Sequence, residues 1–382
     1  MNKRLNIAVF TDSFFPGSGG TEVATYQLCK TLKDNGHNIL LFAPDYHKDY
    51  TTKEFEVVRV KSVPITKNDM VAFPNLDSNK IKTKLDNFQP DIFYFCTVSG
   101  MAKCAIKYAK KMHKPIVATV HTKFKDAFYD SCHSHLITNC LVHSMVSKLN
   151  KADRVVTVGY NMRDELAKYG YRGDVLVIKN GTDHLKKIES TDQKVFDSSN
   201  FKFLFAGRLV RVKNIQFSLH ALGLLKREKG FVNFRFYIVG AGPYKKKLQH
   251  IAKNENVLDN IVFTGFIGDP KELAKMYANC DLLLFPSTFD NDSLVVLEAG
   301  QNHTPALVLA NTGASERIID NQTGFVSDNN LSAYAERIYK IVNDKALLKQ
   351  VSNNTTNLIG QSWHQVALEY EKIFRELINS KN

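Results

Sequence analysis

The sequence predicts an α/β chain built from two doubly wound parallel sheets, and three observations carry that prediction. Short apolar runs alternate with helix-like segments through the first half, at residues 5–10, 38–43, 55–60, 91–95, 116–120 and 154–158. The alternation stops at Asn180-Gly181-Thr182-Asp183 and the polar stretch 186–200, then restarts at 202–206, 234–239, 261–264, 281–285 and 306–309. The third observation is length, since 382 residues exceed what one hydrophobic core usually organises. The expected domains are residues 1–185 and 200–361.

Bulk composition narrows the class. An apolar content of 44% with mixed charges fits a globular protein. No run of 18 apolar residues exists to span a bilayer, and the strand-like run at 5–10 starts too soon after Met1 for a secretory leader. A cytoplasmic protein is the expectation. Cys29, Cys96, Cys104, Cys132, Cys140 and Cys280 show no CxxC spacing and read as reduced thiols, several of them in apolar runs. The formal charge of +13 is shared by both halves, with 26 basic against 18 acidic residues before residue 186. Such an excess attracts lipid, nucleic acid or a phosphorylated substrate, and charge alone does not choose among them.

In chain order, the first informative element is the loop Thr11-Asp12-Ser13-Phe14-Phe15-Pro16-Gly17-Ser18-Gly19-Gly20, with a helix opening at Thr21-Glu22. Its glycines permit close backbone approach, and the helix start favours an anion. His121 directly follows the run 116–120, at the strand end where such sheets bind ligands. His37, His47 and His113 lack this context and read as surface residues. Residues 123–151 mix Phe124, Phe128, Tyr129, Leu136, Ile137 and Leu141 with lysines and histidines. Upstream, Lys103, Lys107, Lys110, Lys111 and Lys114 fall near one helical face. A basic face beside apolar residues is what an interfacial, anionic-lipid-seeking surface requires, although most such faces are merely solvated.

In the second half, Arg208 and Lys213 stand just past a strand, where two fixed cations could meet a diphosphate; Arg211 reads as surface. Val239-Gly240-Ala241-Gly242-Pro243 and Thr264-Gly265-Phe266-Ile267 are turns after the next strands. The stretch Phe285–Gly300, FPSTFDNDSLVVLEAG, reads as a loop and a helix start after a buried strand, with Leu294 and Val295 at the helix opening. Asp290 lies in that loop and Glu298 about two turns along the helix. Amides for phosphate and carboxylates for ribose and hexose hydroxyls suit a sugar nucleotide. The tail over 331–377 is helical by periodicity, with a break at Gly360-Gln361-Ser362 before Trp363.

These motifs together resemble the retaining glycosyltransferases of family GT4, which have the GT-B fold. The family's signature of Glu, seven residues, Glu is matched by Asp290 and Glu298, with Asp290 one methylene shorter and Asp292-Ser293 replacing the usual Phe-Gly. The resemblance implies that Gly19 and Gly20 face the donor diphosphate and that His121 lies beside donor sugar and acceptor. Arg208 and Lys213 would hold phosphate, as would backbone near Leu294 and Val295. Asp290 would orient the donor sugar, Glu298 the ribose, and the loops at Gly240, Gly242, Phe266 and Ile267 the nucleotide. It places acceptor binding in residues 1–185, donor binding in 200–361, and returns a last helix, 362–382, to the first domain, the halves facing a cleft. Catalytic roles fall to His121, Asp290, Arg208 and Lys213, with no metal and no cofactor. The implied partners are a nucleotide sugar such as UDP-glucose and a glycolipid, diacylglycerol-type or polysaccharide-precursor acceptor, with an anionic membrane surface on the inner face of the cytoplasmic membrane and no nucleic acid. A nucleotide-sugar epimerase on a similar scaffold is the alternative, followed by a basic, non-catalytic binding module.

Overall fold

The computed structural model describes residues 3–14, 19–45, 52–64, 70–182, 200–358 and 360–381. Phe15, Pro16, Gly17 and Ser18 of the first loop, His47, Asp183 and the polar stretch up to residue 199 lie outside them. The chain forms two compact units, Met1–Gly181 with Ser362–Asn382, and Thr182–Gln361.

The first unit holds a parallel sheet of seven strands: β1 (Asn6–Phe10), β2 (Asn38–Pro44), β3 (Glu56–Val60), β6 (Ile92–Phe95), β7 (Ile116–Val120), β8 (Arg154–Thr157) and β9 (Val175–Val177). Their spatial order is β3-β2-β1-β6-β7-β8-β9. Between β3 and β6 an antiparallel pair, β4 (Ser62–Pro64) and β5 (Met70–Ala72), precedes the helix α2 (Ser78–Phe88). The remaining crossings are α1 (Gly20–Asp34), α3 (Gly100–Lys111), the pair α4 (Phe124–Cys132) and α5 (His135–Leu149), and α6 (Tyr160–Lys168). Strand alternation explains why both faces are apolar. Ala8, Phe10, Phe42, Phe93, Phe95 and Ala118 enter one buried cluster, and Ile7, Val9, Leu41, Ile92, Tyr94 and Val117 enter another.

The second unit repeats the plan with six parallel strands: β10 (Phe201–Ala206), β11 (Phe234–Val239), β12 (Ile261–Gly265), β13 (Leu282–Phe285), β14 (Ala306–Leu309) and β15 (Phe325–Ser327). The order is β12-β11-β10-β13-β14-β15. Its helices are α7 (Ile215–Lys229), α8 (Lys245–Asn254), α9 (Pro270–Asn279), α10 (Leu294–Gln301), α11 (Leu331–Asn343) and α12 (Lys345–Asn354). In each sheet the chain builds outward on one side, then returns to the middle and builds on the other. The reversal falls between β1 and β6 in the first unit and between β10 and β13 in the second. Loops leaving the carboxyl ends of strands at such a reversal part to form a crevice, so the topology marks two places for ligands.

The last helix, α13 (Trp363–Lys381), belongs to the first unit and packs against α1. Trp363, Val366, Tyr370, Phe374 and Leu377 are buried in the same cluster as Val9 and Tyr94. Tyr370 is hydrogen-bonded to Thr119 of β7 at 2.9 Å, and its ring meets Tyr94 edge-on. The packing of α13 corrects one expectation: His37 is not a surface residue but is 3% exposed. Its Nδ1 accepts from the Leu5 amide at 3.1 Å, and its Nε2 lies 3.2 Å from Glu371 of α13. A lone histidine carries no sequence signal that a distant helix will cover it. Lys114 likewise falls beyond the end of α3 and is half-buried, leaving Lys103, Lys107, Lys110 and Lys111 on the exposed face.

Candidate active site

The crevice of the second unit gathers side chains from β10 and β13. Lys213 and Asn214 follow β10 in a short 3-10 turn, and Asn214 takes a left-handed φ of 56°. Its side-chain amide donates to the Pro286 carbonyl at 3.1 Å, tying the two loops together. Lys213 Nζ donates to Asp290 Oδ1 at 2.5 Å and lies 5.6 Å from the centre of the Phe285 ring. Both members of this pair are largely shielded, with side chains 14% and 18% exposed. Asp290 Oδ2 is buried and has no hydrogen-bond partner among the described residues. A shielded carboxylate oxygen without a donor is costly unless a ligand supplies one. Arg208, one residue past Gly207 at the end of β10, is exposed and makes no side-chain hydrogen bond or ion pair among the described residues.

The loop bearing Asp290 is fixed from its far side. Arg317 grips Asp292 through two parallel hydrogen bonds, Nε to Oδ1 at 2.6 Å and Nη2 to Oδ2 at 2.7 Å. These side chains are 8% and 3% exposed, so the pair is a desolvated fork. Gly313 fits because it has no side chain: a Cβ there would stand 2.2 Å from the Asn291 carbonyl oxygen and 2.5 Å from that of Asp290.

Glu298, on α10, accepts a hydrogen bond from the Tyr277 hydroxyl of α9 at 2.6 Å. Burial pushes its carboxyl above the ordinary range, and the tyrosine donor opposes that push. Leu294 is buried and Val295 half-buried in the first turn of α10. Gly240 and Gly242 are required by packing as well as available to a ligand. A Cβ on Gly240 would meet the Gly207 carbonyl oxygen at 1.9 Å, and one on Gly242 the Leu209 carbonyl oxygen at 2.3 Å. Their bareness lets the 240–242 turn press against the strand-end loop that carries Arg208. Phe266 is 61% exposed, while Ile267 packs on the core.

Two sequence families match, one on each half. The profile described as Glycosyl transferases group 1 covers residues 186–358, and Glycosyltransferase Family 4 covers 18–185. The chain belongs to the family 4 glycosyltransferases.

Among curated relatives, the enzyme is 26% identical to an alpha-monoglucosyldiacylglycerol synthase of Streptococcus pneumoniae over 84% of its length and 74% of the relative's. The synthase of that name from Acholeplasma laidlawii is 22% identical over 99% and 98% of the two chains. Among solved structures, sucrose-phosphate synthase from Thermosynechococcus elongatus superposes with a TM-score of 0.81 at 17% identity, covering 99% and 100% of the chains. Anabaena HepE in complex with UDP and glucose gives 0.76 at 18% identity, covering 98% and 100%. These structural likenesses show the fold, two Rossmann-like domains of the GT-B class.

In the first unit the glycosyltransferase places Gly19 as the residue capping α1, with Gly20 in its first turn and no side chain capping that helix start. His121 follows β7, half-buried, and burial lowers its imidazole to about 4, so the ring is neutral at physiological pH. The sequence reading overlooked Asp12 as a working group. Its carboxylate accepts from the Val98 and Ser99 amides at 3.3 and 3.2 Å and from the Ser99 hydroxyl, filling the amino end of α3 with the protein's own anion. It thereby joins the two loops that part at the β1–β6 reversal. An aspartate two residues past a first strand was the available signal. Tyr277 and Arg317 had none, because their partners lie 21 and 25 residues away on other elements.

Proposed function

We propose that this enzyme transfers a hexosyl group from a UDP-sugar, UDP-glucose first, to a hydroxyl of a diacylglycerol-type glycolipid with retention of anomeric configuration and without a metal. The observation that carries the reading is the Lys213–Asp290 pair at the sheet reversal, with Asp290 Oδ2 left for a hydroxyl to donate to. Lys213, joined by exposed Arg208, supplies fixed positive charge for a diphosphate whose negative charge grows as the sugar–oxygen bond breaks. Asp290 holds the sugar, and Glu298 accepts from the ribose hydroxyls. The acceptor oxygen bonds to the anomeric carbon on the face the diphosphate leaves, and its proton passes to a departing phosphate oxygen. That balance needs no covalent carboxylate intermediate. In the first unit His121, neutral, is assigned hydrogen bonding to substrate. The named glucosyldiacylglycerol synthases support glucose and lipid as the first choices.

The test is a panel of labelled UDP- and GDP-sugars with a lipid extract and a glycan mixture, run with and without EDTA, the product's anomeric configuration read by NMR. Transfer of glucose to lipid with an α linkage from an α-linked donor, unaffected by EDTA, is the expected result. Conversion of the donor sugar without any acceptor would instead make the enzyme an epimerase.

A lipid acceptor needs a surface to reach it from. No helix among the described residues is long and apolar enough to cross a membrane. On α5, Leu136, Ile137 and Leu141 are 76%, 49% and 39% exposed, and α5 packs against α3, whose Lys103, Lys107, Lys110 and Lys111 are exposed. Apolar side chains beside clustered ammonium groups suit the interface of an anionic bilayer. The protein is expected to co-sediment with phosphatidylglycerol vesicles at low salt, and Leu136→Asp with Ile137→Asp to lower that fraction at least fivefold (roughly two buried leucine-sized side chains). Absence of sedimentation at low salt would redirect the search to a soluble or carrier-linked glycan.

A further inference from the structure

We propose that Tyr277 is a positioning residue for the nucleoside end of the donor, its hydroxyl turning the Glu298 carboxylate so that Oε2 is held by protein and Oε1 is left for the ribose. The inference rests on the reading of Glu298 as the ribose partner. Tyr277 sits on α9, 1% exposed, and its backbone carbonyl accepts from the Thr304 hydroxyl at 2.5 Å, which ties the last turn of α9 to the loop before β14. Its phenol is the single side-chain donor to Glu298 among the described residues, and Oε1 has no protein partner among them. The Asn302 side chain meets only the Glu298 backbone carbonyl, at 2.9 Å.

The surroundings make that one hydrogen bond matter. Besides α9, α10 packs against β13, β14 and the 3-10 turn Thr355–Leu358. Their sequences, LLLF, ALVL and TTNL, contain no ionisable residue. Glu298 is the only charged residue of α10 itself. On α9, Lys271, Glu272 and Lys275 are exposed, with Lys275 paired to Glu272 at 2.7 Å, so among these elements the Tyr277 phenol is the group that favours the ionised form of this carboxylate. Only the ionised form accepts from both ribose hydroxyls, so UDP affinity should fall as pH drops through the raised carboxyl range. Without the phenol, burial acts unopposed and the fall begins at higher pH.

The experiment is calorimetric binding of UDP, with 2′-deoxy-UDP and GDP alongside, from pH 5.5 to 8.5 for wild type, Tyr277→Phe and Glu298→Gln. The diphosphate's own titration is common to all three proteins and cancels in their ratios. Tyr277→Phe keeps the buried ring, and thermal melting checks that it folds. Its UDP affinity is expected to be about tenfold below wild type at pH 6 and to converge with it by pH 8.5. Glu298→Gln should bind weakly without that pH dependence and should lose the preference for UDP over 2′-deoxy-UDP. If Glu298→Gln binds the nucleotide as wild type does, the ribose reading itself falls. If Glu298→Gln weakens binding while Tyr277→Phe overlays wild type at every pH, Tyr277 has no positioning role. Equal weakening of Tyr277→Phe at all pH values would make it a structural defect and overturn the proposal.

Discussion

Alanine at Lys213 or at Arg208 is expected to lower kcat/KM for the donor by about 10²–10³-fold, the scale of one preorganised contact to charge that develops in a transition state. The two substitutions should differ in their side effects. Arg208 is exposed and without a protein partner among the described residues, so its loss should leave the melting temperature unchanged. Lys213 also neutralises Asp290 at 2.5 Å, and its loss strands a shielded carboxylate. Lys213→Ala should therefore also be less stable, by about 1–3 kcal/mol, and Lys213→Arg should recover the stability better than the rate. Steady-state kinetics with urea unfolding separates these effects. Turnover within threefold of wild type in either alanine variant would remove that residue from the phosphate site.

The second large effect belongs to Arg317. Alanine there leaves Asp292, with a side chain 3% exposed, as a buried charge with its main partner gone. Breaking one side of such a pair costs about 3–5 kcal/mol, far more than a surface ion pair contributes. Replacing both members, as in Asp292→Leu with Arg317→Leu, removes the stranded charge and should return most of that stability. Rate should not return with it. The fork fixes the loop whose neighbouring residue, Asp290, is assigned to the donor sugar, and a misplacement of about 1 Å can cost roughly 100-fold in rate. A single variant within about 1 kcal/mol of wild type by urea unfolding would show that the fork carries little energy.

The parallel strands were legible because burial on both faces demands near-continuous apolar runs, and LLLF or IFYF admits few other readings. Three-residue strands such as β4, β5 and β15 leave too little pattern to see. Arg208, Lys213, Asp290 and Glu298 were legible as residue types placed after strands, and the resemblance supplied their roles. The bond from Lys213 to Asp290 was not legible, since 77 residues separate them and only the order of β10 and β13 brings them together. Gly240 and Gly242 were legible as points of close approach, but the letter alone does not name the approaching atoms, and the structure adds the carbonyls of Gly207 and Leu209 on the neighbouring turn.

The route of the chain also governs when each part can be completed during synthesis. The first unit is interrupted by the whole of the second and regains α13 only after residue 361. A nascent chain thus exposes the apolar groove of Val9, Tyr94 and Val117 while residues 182–361 emerge and fold as a continuous segment. Completion of the first unit waits on residues 362–382, so a premature stop just before Trp363 would spare the second unit and leave the first with an uncovered sheet.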